Sequence, residues 1–160
     1  MPLLSFDDFR AALPAKGGLI GLDPGTKIIG VAATDPERMV ASPIEGIKRS
    51  KMAADAARIF ELYDARNCAA LVIGLARNMD GSEGPSAQRA RAFARNLLAI
   101  RDTPILMWDE RMSTAAVTRG MIDHDTSRAR RAEIVDQLAA AYVLQGLADR
   151  LRAAHSERTS

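Results

Sequence analysis

Three acidic residues fall where the surrounding pattern is apolar. Asp23 ends the run Leu19-Ile20-Gly21-Leu22, and Glu110 follows Ile105-Leu106-Met107-Trp108-Asp109. Asp136 has Ala132, Glu133, Ala139 and Ala140 three and four positions away, with Val143 a turn further, in a C-terminal helical segment. A carboxylate carried into an interior without a partner costs several kcal/mol, comparable with the stability of a small domain. No single Lys or Arg is placed to neutralise all three. Carboxylate oxygens are the hard ligands that Mg2+ or Mn2+ prefers. Two such ions about 4 Å apart stabilise both attacking water and leaving oxygen in phosphodiester cleavage. Taken singly, each residue has a plainer reading. Asp23 before Pro24-Gly25 suits a turn, Glu110 suits a strand rim paired with Arg111 or Arg77, and Asp136 suits a bond to a backbone amide. Their coincidence on two strands and one helix favours metal and phosphoryl chemistry. Asp109 points away from Glu110 by the two-residue strand period and reads as a structural partner of Arg111.

Competing chemistries find less support. The only histidines, His124 and His155, lack the neighbours of a zinc site, and neither GxxxxGK[ST] nor GxGxxG is present. His124 reads as a solvated loop residue and His155 as part of the tail. No Ser-His or Cys-His arrangement suggests a triad. Cys68 is the single cysteine, so an intrachain disulfide is excluded, and it reads as a buried core thiol.

The elements that must hold the carboxylates follow from periodicity. Residues 18–23 and 28–35 are short apolar runs around Pro24-Gly25-Thr26-Lys27, the pattern of a hairpin, and a third strand is expected over 40–47. A helix is expected over 50–66, a strand buried on both faces over 69–75, and a loop over 78–84. A helix then covers 85–100, with Pro85 at its first turn, and a strand follows Pro104 to Asp109. Ser113 caps a helix to Ile122, and a long helix covers 129 to about 151. Residues 6–13 suggest a short helix ended by Pro14. This order implies an α/β fold: a mixed five-stranded sheet with an antiparallel first hairpin, a parallel remainder and helices on both faces. The chain divides into a leader (1–17), one domain (18–152) and a tail (153–160).

The 160 residues suffice for one domain with a real core. A composition of 48% hydrophobic and 26% charged residues is ordinary for a soluble protein. The net charge of +2 gives no global polycation signal, and the pI near 9.0 leaves room for a local basic surface. The N-terminus does not read as a secretory signal, and no apolar run approaches the roughly 20 residues of a membrane span. A cytoplasmic protein without membrane contact is expected.

Gly21-Leu22-Asp23-Pro24-Gly25-Thr26-Lys27 with Gly30-Val31-Ala32 resembles the first hairpin of the YqgF/RuvX family. Further matches are Gly74-Leu75, the loop Asn78-Met79-Asp80-Gly81-Ser82-Glu83-Gly84, Asp109-Glu110-Arg111, and Val135-Asp136 with Ala139-Ala140 and Leu144-Gln145. That family has a ribonuclease H-like fold and is named variously for Holliday junction resolvases and pre-rRNA nucleases. The likeness spans residues 18–150. It implies Asp23, Glu110 and Asp136 as the catalytic, metal-binding set, with either an rRNA precursor of the small ribosomal subunit or a four-way DNA junction as target. Ile28 stands where the family commonly has Arg, and Ala76-Arg77 replaces a more usual Pro-containing pair.

A phosphate backbone needs cations around such a pocket. Lys27, Arg77, Asn78, Arg111, Arg128 and Arg131 flank the proposed segments and are the expected nucleic-acid contacts. Arginines at a helix start are slightly unfavourable by the helix dipole, which phosphate binding would explain. With 4% aromatic residues, recognition should favour backbone and shape over base stacking. The expectation is a Mg2+- or Mn2+-dependent nuclease, using two ions on structured RNA or branched DNA, as a monomer or homodimer. Two rivals are an actin-like ATP site, suggested by the Asp-x-Gly-Thr hairpin, and a ribosome-associated binder with little catalysis.

Overall fold

The computed structural model describes residues 3–75, 80, 82–109 and 128–159, with side chains in the last stretch at 135–155. The elements run α1 (Phe6–Ala12), β1 (Gly18–Pro24), β2 (Ile28–Thr34), β3 (Ala41–Lys48), α2 (Met52–Ala65), β4 (Cys68–Leu75), α3 (Pro85–Ile100), β5 (Ile105–Asp109) and α4 (Arg128–Thr159). The helix expected over 113–122 lies outside the described residues. Both expected hairpin strands and the helix from Pro85 to Ile100 form as the pattern indicates.

The sheet order is β3-β2-β1-β4-β5. β1 pairs antiparallel with β2, which pairs antiparallel with β3, while β1–β4 and β4–β5 are parallel. This is the expected mixed α/β sheet, except that β3, expected in the parallel remainder, runs antiparallel to β2 because it follows β2 through a short connection. Strand alternation sorts the side chains into two layers. Ile20, Leu22, Leu71 and Ile73 face Ile59 and Phe60 of α2 and Phe93 and Leu97 of α3. Leu19, Ala70, Val72, Leu106 and Trp108 face Phe9 of α1 and Ala139, Ala140, Val143, Leu144 and Leu147 of α4.

Small residues let α4 lie close to the sheet. A Cβ built on Gly21 would come 2.9 Å from the Leu144 Cβ and 3.1 Å from the Ala140 carbonyl. Farther along α4, Gln145 accepts from the Ala41 amide at 2.8 Å and donates to the Met39 carbonyl at 3.0 Å, fixing the start of β3. α4 continues past residue 151 because Leu151 and Ala154 remain buried. The segment set apart as a tail is thus helical through Thr159.

The N-terminal segment also belongs to the packed body. Leu4 bridges to Leu106 in parallel sense, its amide donating to the Ile105 carbonyl at 3.1 Å, and so covers the outer edge of β5. Ser5 caps α1 through the Asp8 amide, and Phe9 is fully buried against the α4 layer. Phe6 contacts the Trp108 ring at 6.1 Å between centroids. Among the described residues, no helix is long and apolar enough to cross a membrane.

Candidate active site

Asp23 reaches its place through strand alternation. Leu19 and Gly21 face α4, and Asp23 shares their side of β1, 8% exposed at the strand's C-terminal end. Its cross-strand partner in β2 is Gly30. The helix backbone passes directly over that glycine: a Cβ there would overlap the carbonyl group of Asp136 and come 2.8 Å from the Gln137 amide nitrogen. The carboxylate of Asp136 lies against the turn that follows Asp23, where a Cβ on Gly25 would sit 3.4 and 3.5 Å from its Oδ2 and Oδ1. Asp23 and Asp136 therefore lie on one face of the first hairpin, although 113 positions separate them in the chain.

The turn is held from the other layer. The Gly25 amide donates to the carbonyls of Asp23 and Ile28, both at 3.0 Å. Arg49, just beyond β3, donates from Nη1 to the Gly25 carbonyl at 2.9 Å and from its backbone amide to the Lys27 carbonyl at 2.9 Å. Its guanidinium rests over Phe93 of α3, 5.4 Å from the ring centroid. Lys27 is exposed at the turn. Arg49 was not among the expected site residues. The signal that could have found it is the Lys48-Arg49 pair at the end of a strand expected to lie beside the hairpin.

Other expected residues divide by position. Glu110, Arg77, Asn78, Arg111 and His124 lie outside the described residues, as do the side chains of Arg128 and Arg131 at the start of α4. Asp109 is in register with Leu75 and shares the side of Met107, which packs against the α2–α3 layer. It therefore points away from the Asp136 side, as the strand period required. His155 is helical and exposed rather than part of an irregular tail. Among the described residues, no group of three His, Cys, Asp or Glu side chains could hold a metal. Asp23 and the Asp136 carboxylate both lie at the first hairpin turn, and Glu110 lies outside the described residues.

Neighbouring charges have structural duties. Ser82 donates to Asp80 from its amide at 2.9 Å and its hydroxyl at 2.6 Å, shaping the loop before α3. Arg91 grips Glu83 through Nε and Nη2 at 2.7 and 2.6 Å, and this pairing raises the Arg91 pKa above the ordinary guanidinium value. Asp55 is even more buried than Asp23, at 3% exposed, but it accepts from the amide and hydroxyl of Ser50, both at 3.1 Å. Its burial is compensated locally at the start of α2. Two clefts, lined by Thr34, Asp35 and Met39 and by Leu13, Arg38 and Arg152, lie at the opposite end of β1 from Asp23.

Comparison with known proteins fits this geometry. A family profile described as RuvX: Holliday junction resolvase matches residues 17–150. A protein of Cereibacter sphaeroides (strain ATCC 17025 / ATH 2.4.3) is 56% identical over 147 residues, covering 92% of each chain. One of Caulobacter vibrioides (strain NA1000 / CB15N) is 54% identical over 154 residues, covering 95% of this chain and 99% of the relative. Both bear the name "Putative pre-16S rRNA nuclease". Among solved structures, T. thermophilus RuvC in complex with Holliday junction substrate superposes with a TM-score of 0.53 at 15% identity, over 88% of this chain and 96% of that one. This last likeness concerns the fold, which is of the RuvC type.

Proposed function

The chain belongs to the RuvX family of Holliday junction resolvases, and from that premise we propose that it is a divalent-metal-dependent nuclease whose active site is built on Asp23, Asp136 and Glu110. The observation that carries this reading is the approach of the Asp136 carboxylate to the turn after Asp23, made possible by Gly25 and Gly30. A helix brought this close to a strand end, with a carboxylate from each, offers the oxygen donors that a hard cation prefers. Glu110 is included because it directly follows the last residue of β5 in sequence and belongs to the Asp109-Glu110-Arg111 match of the family resemblance.

The residues fit Mg2+ or Mn2+ through their oxygen donors, and two ions would be shared among three carboxylates. When bound, such ions supply Lewis acidity to the scissile phosphate and its attacking water. The protein's part is orientation. β1 carries Asp23 and α4 carries Asp136, so packing of α4 on the sheet sets their relative position. Lys27, Arg77, Asn78, Arg111, Arg128 and Arg131 are proposed to hold the substrate's phosphates.

We favour the precursor of 16S rRNA as substrate, because relatives more than half identical over nearly their whole length carry that name. A four-way DNA junction is the second reading, favoured by the family's description. The test is cleavage of labelled pre-16S rRNA and junction DNA, side by side, with Mg2+ or Mn2+. Asp23→Asn and Asp136→Asn should each lower cleavage by about 100-fold with nucleic-acid binding retained. Full cleavage by both variants would remove the metal reading. Activity on the junction alone, by a dimer in sedimentation, would select the second substrate.

A further inference from the structure

We infer that Arg49 is a positioning residue for the active site, acting through the hairpin turn rather than on substrate. This rests on the metal-site reading above, and the two can fail separately. Gly25 is the residue wedged between the Asp136 carboxylate and the Ile28 carbonyl, which a Cβ on it would approach to 2.7 Å. Its amide is spent on Asp23 and Ile28, and its carbonyl is taken by Arg49. Arg49 thus grips residues 25 and 27 at once, one through its side chain and one through its amide.

The arginine is itself braced. Its guanidinium lies over Phe93, which is 2% exposed in the core of the α2–α3 layer. Asp136 approaches the same turn from the α4 layer. The turn is therefore clamped between the two layers, and Arg49 is the clamp on the side away from the carboxylates. Without it, the Gly25 carbonyl loses its donor and turns toward water. The peptide then moves relative to Asp136, and the ends of the metal cradle lose their spacing. Partners that orient ligands in this way typically govern metal affinity or activity by 10–100-fold.

The test uses Arg49→Met, which keeps an apolar stem on Phe93 and removes the donors, and Arg49→Lys, which restores one donor. Three readouts are taken on the full chain: Mn2+ binding by calorimetry without nucleic acid, hydrogen exchange of the Gly25 amide, and the salt dependence of RNA binding in EDTA. Arg49→Met should weaken Mn2+ binding and lower kcat by about tenfold. It should also speed Gly25 exchange and leave the salt slope unchanged, while Arg49→Lys recovers part of each loss. A salt slope reduced by about one, with Mn2+ binding intact, would make Arg49 a phosphate contact and overturn the proposal. Unchanged Gly25 exchange would overturn it as well. Asp23→Asn separates the underlying reading: if that variant binds Mn2+ normally, the metal site fails, while Gly25 exchange still decides whether Arg49 sets the turn.

Discussion

Gly30→Ala is the substitution that bears most directly on the site. The backbone of Gly30 is not in the left-handed region, so alanine is conformationally allowed there. By unfolded-state entropy alone, the change would stabilise the protein by roughly 0.4–1 kcal/mol. The new methyl, however, would overlap the backbone carbonyl of Asp136. Restoring an ordinary contact of about 3.5 Å requires α4 to retreat by on the order of 1 Å. Neither neighbour is the flexible end of a side chain, so β2 or α4 must move as a unit. Overpacking of this kind costs about 1–3 kcal/mol, which exceeds the entropic gain. If Asp136 is catalytic as proposed, a displacement near 1 Å there costs about 100-fold in rate. Urea denaturation and cleavage assays should therefore both show the loss. Gly21→Ala is the milder comparison: its methyl would meet the Leu144 Cβ at 2.9 Å and the Ala140 carbonyl at 3.1 Å, so α4 must shift there too, but by less than at Gly30. It should lose less stability than Gly30→Ala and retain most activity. Wild-type stability and cleavage in Gly30→Ala would refute the crossing of α4 over β2 at this position.

Two further outcomes test the body of the fold. Phe9→Ala removes a fully buried ring from the N-terminal helix and should cost about 3–5 kcal/mol in urea denaturation; a loss under about 1 kcal/mol would mean that the leader is dispensable to the core. Burial pushes the Cys68 thiol up to about 11, whereas an unfolded cysteine ionises near 8.5. The unfolded chain releases this proton first, so stability should fall as pH rises from about 9 to 11, and Cys68→Ser should lack that component. Cys68 is half-buried against the α2–α3 layer rather than fully buried as expected, and the folded protein should react with thiol reagents at pH 8 more slowly than the unfolded chain; equal rates would contradict this placement.

Much of the fold was legible in residue order. Alternating and continuous apolar runs marked the strands, Pro24-Gly25 marked the hairpin, and Pro85 marked the start of α3 to the residue. Asp23 could be singled out because it ends an apolar strand, and Asp136 because its helical neighbours are small. These signals are local: each depends on residues within a turn or two of the chain. The resemblance of the hairpin and of the Asn-Met-Asp-Gly-Ser-Glu-Gly loop carried the family. The leader was less legible, since a short helix with one buried phenylalanine has no periodicity to distinguish it from a solvated one.

Sequence by itself singled out Asp23 and Asp136 and the strand and helix that bear them. Tertiary structure decided what those faces meet. Gly30 looks like any strand glycine until the backbone at Asp136 is found lying across it. Arg49 looks like a solvated cation until its donors are found on Gly25 and its plane over Phe93. Asp55 is a still more buried carboxylate, and the amide and hydroxyl of Ser50 nearby donate to it. Contacts between distant positions arise from how layers stack, and steric exclusion at a helix crossing leaves no trace in the local pattern of either partner.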